Sequence, residues 1–236
     1  MAKVTLIVPA LNELTSMKWV LPQIDRKFVN QIVILDGKSK DGTADWAKAQ
    51  GYDVFVQKEP GLWNAYSELF KAGMVKGDIV ITFSPDGNSI PEAIPELIKK
   101  MESQDMVIAS RYKGYAKSED DTKFTAWGNR FLTGLVNLAS GFRYTDSLVM
   151  YRAYRTRLID EMGFLEKPNW LQGKLIKMSN LYSYEPSLSI RAGKIPLRIA
   201  EIPASEPKAY RERRETIWTH GFMLLFQILY EGWWRR

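Results

Sequence analysis

The chain contains no cysteine and a single histidine, His220. That excludes a disulfide framework, thiolate chemistry and the Cys/His-rich metal sites that such residues build. No Gly/Ser-rich or Pro-rich linker, internal repeat, heptad run or low-complexity tract interrupts the sequence, so nothing marks a cut between large units. Also missing is an uninterrupted apolar run of the about 20 residues that cross a bilayer. The nearest approach, Ile217 to Trp234, is broken by Thr219, His220, Gln227 and Glu231. The N-terminus reads directly as a strand and not as a basic, apolar leader, so a cytosolic setting is the default expectation.

What is present is alternation of strand and helix. With 236 residues and 45% hydrophobic content the chain can bury a substantial core, as one large α/β domain or two smaller ones. The β-branched and aromatic runs Lys3 to Val8, Gln31 to Leu35 and Ile79 to Phe83 read as buried strands. Each ends in polar residues: Pro9-Ala10-Leu11-Asn12-Glu13, Asp36-Gly37-Lys38 and Ser84-Pro85-Asp86-Gly87-Asn88. Between them Thr15 to Phe28, Thr43 to Gln50 and Leu62 to Met74 read as helices, with Gly51 and Gly77 as stops. This spacing predicts βαβ units and a mostly parallel sheet flanked by helices, which gathers Glu13, Asp36 and Asp86 on one edge. Ligands bind at that edge in open α/β sheets. By itself, Pro85-Asp86-Gly87 is equally well read as a turn.

The net charge is +6, and the excess lies in the second half. Residues 111–157 carry nine Lys/Arg against four Asp/Glu, and residues 191–236 nine against five. No helix-turn-helix, zinc or RNA-platform signature accompanies them, so nucleic acid is not the expected partner. Phosphates on a small ligand, or anionic headgroups, fit a localised basic region.

Five segments, VTLIVPALNE, LDGKSKDGT, FSPDGNSIPE, ASRY and TDSLVMYRAYR, occur in this order between Val4 and Arg155. In this they resemble family-2 glycosyltransferases of the GT-A (Rossmann-like) fold, and most closely the branch of dolichyl- and polyprenyl-phosphate sugar synthases. The resemblance runs from Val4 to about Pro207. It implies a catalytic domain over 1–207, a UDP- or GDP-linked sugar donor, Mg²⁺ or Mn²⁺, and inversion at the anomeric carbon. It places Pro9, Ala10, Asn12, Glu13 and Asp36 around the nucleoside, with Ser84, Pro85 and Asp86 completing the donor site. Asp86 matches the second acid of the family's Asp-x-Asp motif, and Asn88 offers a carbonyl oxygen to the same metal. The first acid of that motif is replaced by Ser84. Arg111 and Arg130 match basic positions of the family and, with Arg152 of the YRAYR run and Arg211 and Arg213 nearer the C-terminus, are expected to meet phosphate. Asp146 is a candidate base for an alcohol acceptor; with a phosphate acceptor it would orient a loop or an arginine. Glu185 is expected to be structural, as are Asp41 and Thr43, which read as a helix cap.

Residues 208–236 form a separate basic, amphipathic segment. His220, Gln227 and Glu231 fall on one helical stripe, the rest being apolar with Trp218, Trp233 and Trp234 near its ends. Two readings stand: an interfacial helix at a membrane surface, or a terminal helix packed on the core or a second subunit. A further helix is expected from Phe124 to Phe142, with an apolar stripe beside the acceptor site. The combined expectation is an inverting transferase that acts on a polyprenyl phosphate, peripheral on the inner face of the cytoplasmic membrane. Transfer to a glycan or small-molecule hydroxyl, and an inactive nucleotide-binding relative, are the alternatives.

Overall fold

The computed structural model describes residues 2–166, 168–178, 182–210 and 217–234. In chain order the elements are β1 (Val4–Ala10), α1 (Leu14–Val20), β2 (Gln31–Asp36), α2 (Thr43–Ala49), β3 (Asp53–Val56) and α3 (Leu62–Lys71). Then come β4 (Ile79–Thr82), α4 (Ile94–Met101), β5 (Met106–Ser110), α5 (Lys123–Ser140), β6 (Arg152–Arg155) and α6 (Leu158–Glu161). The last are α7 (Trp170–Met178), α8 (Tyr184–Gly193), β7 (Ile199–Pro203) and α9 (Ile217–Trp234). The strands form one seven-stranded sheet in the order β3-β2-β1-β4-β6-β5-β7. Only β6 is antiparallel to its neighbours, β4 and β5; every other pairing is parallel. The expected α/β architecture with a mostly parallel sheet is therefore the one observed.

Both faces of the sheet are covered, which is why its strands read as continuous apolar runs. Ile7, Val33, Leu35 and Val80 point into a core shared with Trp63 and Tyr66 of α3, Val136 of α5 and Leu188 of α8. Leu6, Val8, Ile32, Ile34 and Ile81 point to the opposite core, with Met17, Ala47 and Leu97. Pro9 lies where the β1–β4 ladder ends. Ile7 accepts from Phe83 N on the β4 side and Ala10 from Gly37 N on the β2 side. By this alternation the N–H that Pro9 lacks would face Phe83, so the ladder with β4 stops at Thr82 while that with β2 continues.

Two helix expectations need correction. The first helix does not reach Phe28: Pro22, which has no N–H to continue the ladder, turns Leu21–Gln23 into a single 3₁₀ turn. The third ends at Lys71, followed by Gly73 at φ +65°. Gly77 serves another purpose, since a Cβ there would lie 2.6 Å from Thr5 N. The helix expected at Phe124 starts one residue earlier behind Thr122, whose Oγ1 accepts from Thr125 N at 3.1 Å.

The C-terminal helix docks on α5 and α8 with Gln227 and Glu231 of its polar stripe turned inward and His220 exposed. Glu231 and Arg191 form a buried bidentate pair, Nε to Oε2 and Nη2 to Oε1, each 2.7 Å. Tyr182 Oη and Ser187 Oγ also donate to Glu231, at 3.1 and 2.9 Å. Gln227 Nε2 donates to Ser187 Oγ at 2.9 Å, and its Oε1 accepts from Ser183 N at 3.2 Å. Lys194 Nζ reaches the carbonyls of Glu231 and Gly232, both at 3.1 Å, so a cation sits at the negative end of the helix dipole. Burial lowers the Arg191 pKa, but the hydrogen bonds and charge of Glu231 outweigh it and hold the guanidinium above its ordinary value. Glu231→Ala would leave that charge buried without a partner. It is expected to destabilise the fold by about 3–5 kcal/mol in urea denaturation and to expose α9 to limited proteolysis.

Candidate functional site

Because β6 alone is reversed, the carboxyl ends of the other six strands lie on one edge, together with the loop that enters β6. The order along this edge follows the sheet. Asp36 lies at the end of β2, Ala10 to Glu13 follow β1, Ser84 to Asn88 follow β4, Arg111 follows β5 and Glu206 lies beyond β7. Neighbouring strands are about 4.8 Å apart, so β2 to β4 and β4 to β5 each span about 10 Å across the edge.

At the β1–β2 end, Asn12 at φ +54° joins two loops. Its N–H donates to Ser39 Oγ at 2.8 Å and its Oδ1 accepts from Lys40 N at 2.7 Å. Asp41 ties the starts of α1 and α2, accepting from Leu14 N and Thr43 N, both at 3.0 Å. Burial raises its pKa, but the bonds from Thr43 and Leu14 prevail and hold it below the usual carboxylate range. Glu13 is buried, with Oε2 accepting from Ser16 Oγ at 2.9 Å. Asp36 is buried too; its Oδ2 accepts from Ser39 N at 3.0 Å, while its Oδ1 has no partner. A buried carboxylate oxygen without a donor fits the N–H of a bound base.

The corner after β4 turns on Gly87 at φ +94°, with the Tyr210 ring lying against it. Tyr210 N donates to the Asp86 carbonyl at 2.8 Å, and its ring meets Trp19 edge-on at 4.7 Å. Ser84 Oγ donates to Asp86 Oδ1 at 2.6 Å, and Asn88 N donates to the same oxygen at 3.1 Å. Among the described residues none donates to Asp86 Oδ2. Asn88 Oδ1 is buried and also has no donor. Two oxygens without donors, two residues apart, suit a hard cation that takes its other ligands from phosphate and water. Among the described residues no cluster of three or more acidic or histidine side chains is preassembled, so phosphates would have to complete the shell.

Asp86, Asn88, Arg111 and Glu206 line the polar end of a cavity of about 650 Å³. The rest of its lining is largely apolar, with Phe124, Phe131 and Leu132 of α5, Leu148 to Tyr151 of the loop before β6, and Trp218, Phe222 and Leu225 of α9, interrupted by Asp120, Asn129, Glu185 and His220. Arg111 lies between two carboxylates. Asp146, fully buried, takes its Nε at 2.7 Å, its Nη2 at 3.0 Å and its backbone N at 3.1 Å. Glu206 takes Nη1 at 3.3 and 3.5 Å. Burial lowers the Arg111 pKa, but Asp146 and then Glu206 override it, so the guanidinium is held charged well above its usual value. Glu201 anchors the same loop by accepting from Asp146 N at 3.1 Å and Thr145 N at 2.9 Å. Both oxygens of Asp146 are thus committed to Arg111.

Arg152 is not in the cavity. It is fully buried at the start of β6, and all its bonds go to protein: Nε to Val149 O at 3.0 Å, Nη1 to Ser189 Oγ and Glu185 O at 3.0 and 3.3 Å, and Nη2 to Ser147 O at 3.1 Å and to Val149 O. The five N–H groups of a guanidinium are thus all used, which corrects the expected phosphate contact. Burial lowers its pKa. Arg130 is exposed on α5, 5.6 Å from the Tyr112 ring, and does not line the cavity. Arg211 and Arg213 lie outside the described residues. Glu185 lines the cavity, and its carbonyl accepts from Arg152. Sequence reasoning missed Glu201 and Glu206; acids in and beyond an edge strand carry no local signal of the arginine or loop that they meet across the fold.

Asp146→Asn removes one half of a buried bidentate pair. The expected cost is about 3–5 kcal/mol in urea denaturation, whereas an acid serving only as a base would be lost with little change in stability.

The chain is 28% identical over 215 residues to an undecaprenyl-phosphate mannosyltransferase of Micrococcus luteus, covering 85% of this chain and 82% of that one. It is 26% identical to an undecaprenyl-phosphate 4-deoxy-4-formamido-L-arabinose transferase of Klebsiella pneumoniae, covering 97% of this chain and 66% of the relative. Crystal structures of glucosyl-3-phosphoglycerate synthase from Mycobacterium tuberculosis share the fold. One holds Mn²⁺, UDP and glucosyl-3-phosphoglycerate, with a TM-score of 0.65 at 19% identity over 98% of this chain and 80% of that one. Another holds Mg²⁺ and UDP, with a TM-score of 0.67 at 18% identity over 98% of this chain and 79% of that one. The family model described as glycosyl transferase family 2 matches residues 5–163. That span is well over half of the chain and includes the strand ends that carry Asp36, Asp86, Arg111 and Asp146, and the protein belongs to glycosyl transferase family 2.

Proposed function

We propose that the protein transfers a sugar, with inversion, from a UDP- or GDP-linked donor to a polyprenyl phosphate at the inner face of the cytoplasmic membrane. The observation that carries this reading is the cavity in which Asp86, Asn88 and Arg111 share a largely apolar lining of aromatic and aliphatic side chains. A phosphate on a long apolar chain has that shape and polarity. The named acceptors of the two relatives, undecaprenyl phosphates, support the same class.

In this reading the nucleoside lies against Ala10, Asn12, Glu13 and Asp36, with Asp36 Oδ1 accepting from the base. The diphosphate lies at Ser84 to Asn88, about two strand widths away. Asp86 and Asn88 hold Mg²⁺ or Mn²⁺ together with the donor phosphates. The cation neutralises charge that grows on the leaving nucleoside diphosphate as the glycosidic bond breaks. Ser84 stands in for the missing first acid by orienting Asp86 through its hydroxyl. Arg111, aimed by Asp146, meets the acceptor phosphate. A phosphate monoester with a second pKa of about 6 is already anionic near neutral pH and attacks without a general base. That suits an Asp146 whose oxygens are both engaged.

Residues 1–207 are read as the catalytic domain and 208–236 as its membrane-facing segment. No helix among the described residues is long and apolar enough to cross a membrane. The outward faces of α9 and α5 are nevertheless apolar: Trp218, Phe222, Phe226 and Leu229 are 56–67% exposed, and Leu138 is 84% exposed. Trp127 stacks on Phe131 at 5.7 Å, and Phe124 packs against Trp218 at 5.4 Å, joining the two helices in one surface. A patch that includes aromatic residues and continues into the cavity suits the interfacial layer of a bilayer.

The purified protein is expected to make product from at least one of a panel of UDP- and GDP-sugars with Mn²⁺ or Mg²⁺ and undecaprenyl or dolichyl phosphate; absence of product across the panel sinks the proposal. In that assay Asp86→Ala should lower turnover by at least about 100-fold, and Ser84→Ala by less than about tenfold. The opposite ranking would remove the metal corner from Asp86. Replacing Trp127, Phe226 and Leu229 together by Ser should abolish co-sedimentation with anionic lipid vesicles while leaving turnover of a short, water-soluble prenyl phosphate unchanged.

A further inference from the structure

Arg111 offers a phosphate few open positions. Its Nε and one Nη2 position are held by Asp146, and its Nη1 is held by Glu206. The two partners are unequal. Asp146 contacts are 2.7 and 3.0 Å, those of Glu206 3.3 and 3.5 Å. Fully ionised, the trio sums to one negative charge, and Asp120 and Asp86 line the same cavity. An anionic phosphate meets repulsion there unless one carboxylate loses its charge.

We propose that Glu206 is the releasable counter-ion of Arg111: it takes up one proton from solvent when a phosphate group binds, and so frees the Nη1 edge of the guanidinium. The inference rests on the reading of this cavity as a phosphate site and adds to it a positioning residue with a proton-linked role. Several features single out Glu206. Its backbone is fixed, with Glu206 N donating to Lys117 O and Glu119 N to Glu206 O, both at 2.8 Å, so only the carboxyl group has freedom to respond. Ser118 Oγ donates to its Oε2, a bond that survives protonation of the other oxygen. Burial raises its pKa above the ordinary carboxylate range; Arg111 and Ser118 pull it back, and Asp121 pushes it further up. Asp121 belongs to the neighbouring loop and accepts from Tyr112 Oη and Asn129 Nδ2. The groups around Glu206 are therefore Arg111 and, behind it, Asp146; Lys117, Ser118, Glu119, Asp120 and Asp121 on the loop before α5; Lys208 two residues on; and Asp86, which lines the same cavity. Where one guanidinium is shared between carboxylates, the less firmly held of them is the one that takes the proton.

The sign follows from linkage. A proton bound together with the ligand makes affinity fall as pH rises through the range above the pKa of free Glu206, by up to about tenfold per pH unit. The probes are UDP, for the donor diphosphate, and geranyl phosphate, for a monoester acceptor. Calorimetry at pH 8 in two buffers of different ionisation enthalpy counts protons when both ligands are already ionised. The wild-type protein should take up close to one proton with the ligand that meets Arg111, and the identity of that ligand tells donor from acceptor phosphate. Glu206→Gln, which keeps the shape and the bond from Ser118, should bind the same ligand several-fold more tightly at pH 8 and lose the protein's share of the pH slope. The ligand's own ionisation is common to both proteins and cancels in the comparison. Binding without proton uptake by the wild type, or an unchanged slope in Glu206→Gln, overturns the role of Glu206 alone. Failure of both probes to bind overturns the phosphate reading of the cavity and this proposal with it.

Discussion

Arg152 occupies the first position of the one strand that runs against the others, and its five N–H groups hold the carbonyls of Ser147, Val149 and Glu185 and the hydroxyl of Ser189. A guanidinium buried this deeply without a close carboxylate is costly unless every donor is satisfied, and here each one is. The loop from Thr145 to Tyr151 is thereby fixed to α8. Asp146 lies in that loop, and through Asp146 the position of Arg111 is set. Inserted between β4 and β5, β6 also separates Asp86 from Arg111 by two strand widths. The polar end of the cavity exists because that gap is held open.

The C-terminal helix solves a different problem. An amphipathic helix ordinarily buries its apolar stripe. Here the stripe with Gln227 and Glu231 is buried and satisfied by Arg191, Ser183, Ser187 and Tyr182, while Trp218, Phe222, Phe226 and Leu229 face outward. Buried polar contacts of this kind depend on direction, so they fix the rotation of α9 about its axis. That rotation makes the cavity wall continuous with an exposed aromatic surface.

Ser84 illustrates how a departure from a motif is absorbed. Where the family has an acid, the hydroxyl donates to Asp86 and leaves one of its oxygens open, with the unpartnered Asn88 Oδ1 close by in sequence.

The local order was legible. Apolar runs that end in Asn12-Glu13, Asp36 and Ser84 to Asn88 located three strands and their common edge, because strand burial and turn chemistry are written in neighbouring residues. The glycine that ends α3 and the truncation of α1 at Pro22 were legible in principle but misread, each being a choice between two nearby breakers. Other features had no local trace. Glu206 meets Arg111 across 95 positions, Arg191 meets Glu231 across 40, and Arg152 reads as any arginine until Ser189, 37 residues on, comes beside it. By itself the sequence determined the alternating fold, the edge that gathers Glu13, Asp36 and Asp86, and the family. Only tertiary structure decided which arginines face the cavity, which way α9 is turned and which carboxylate guards Arg111. Those are set by pairings between distant segments, and no periodicity within one segment records them.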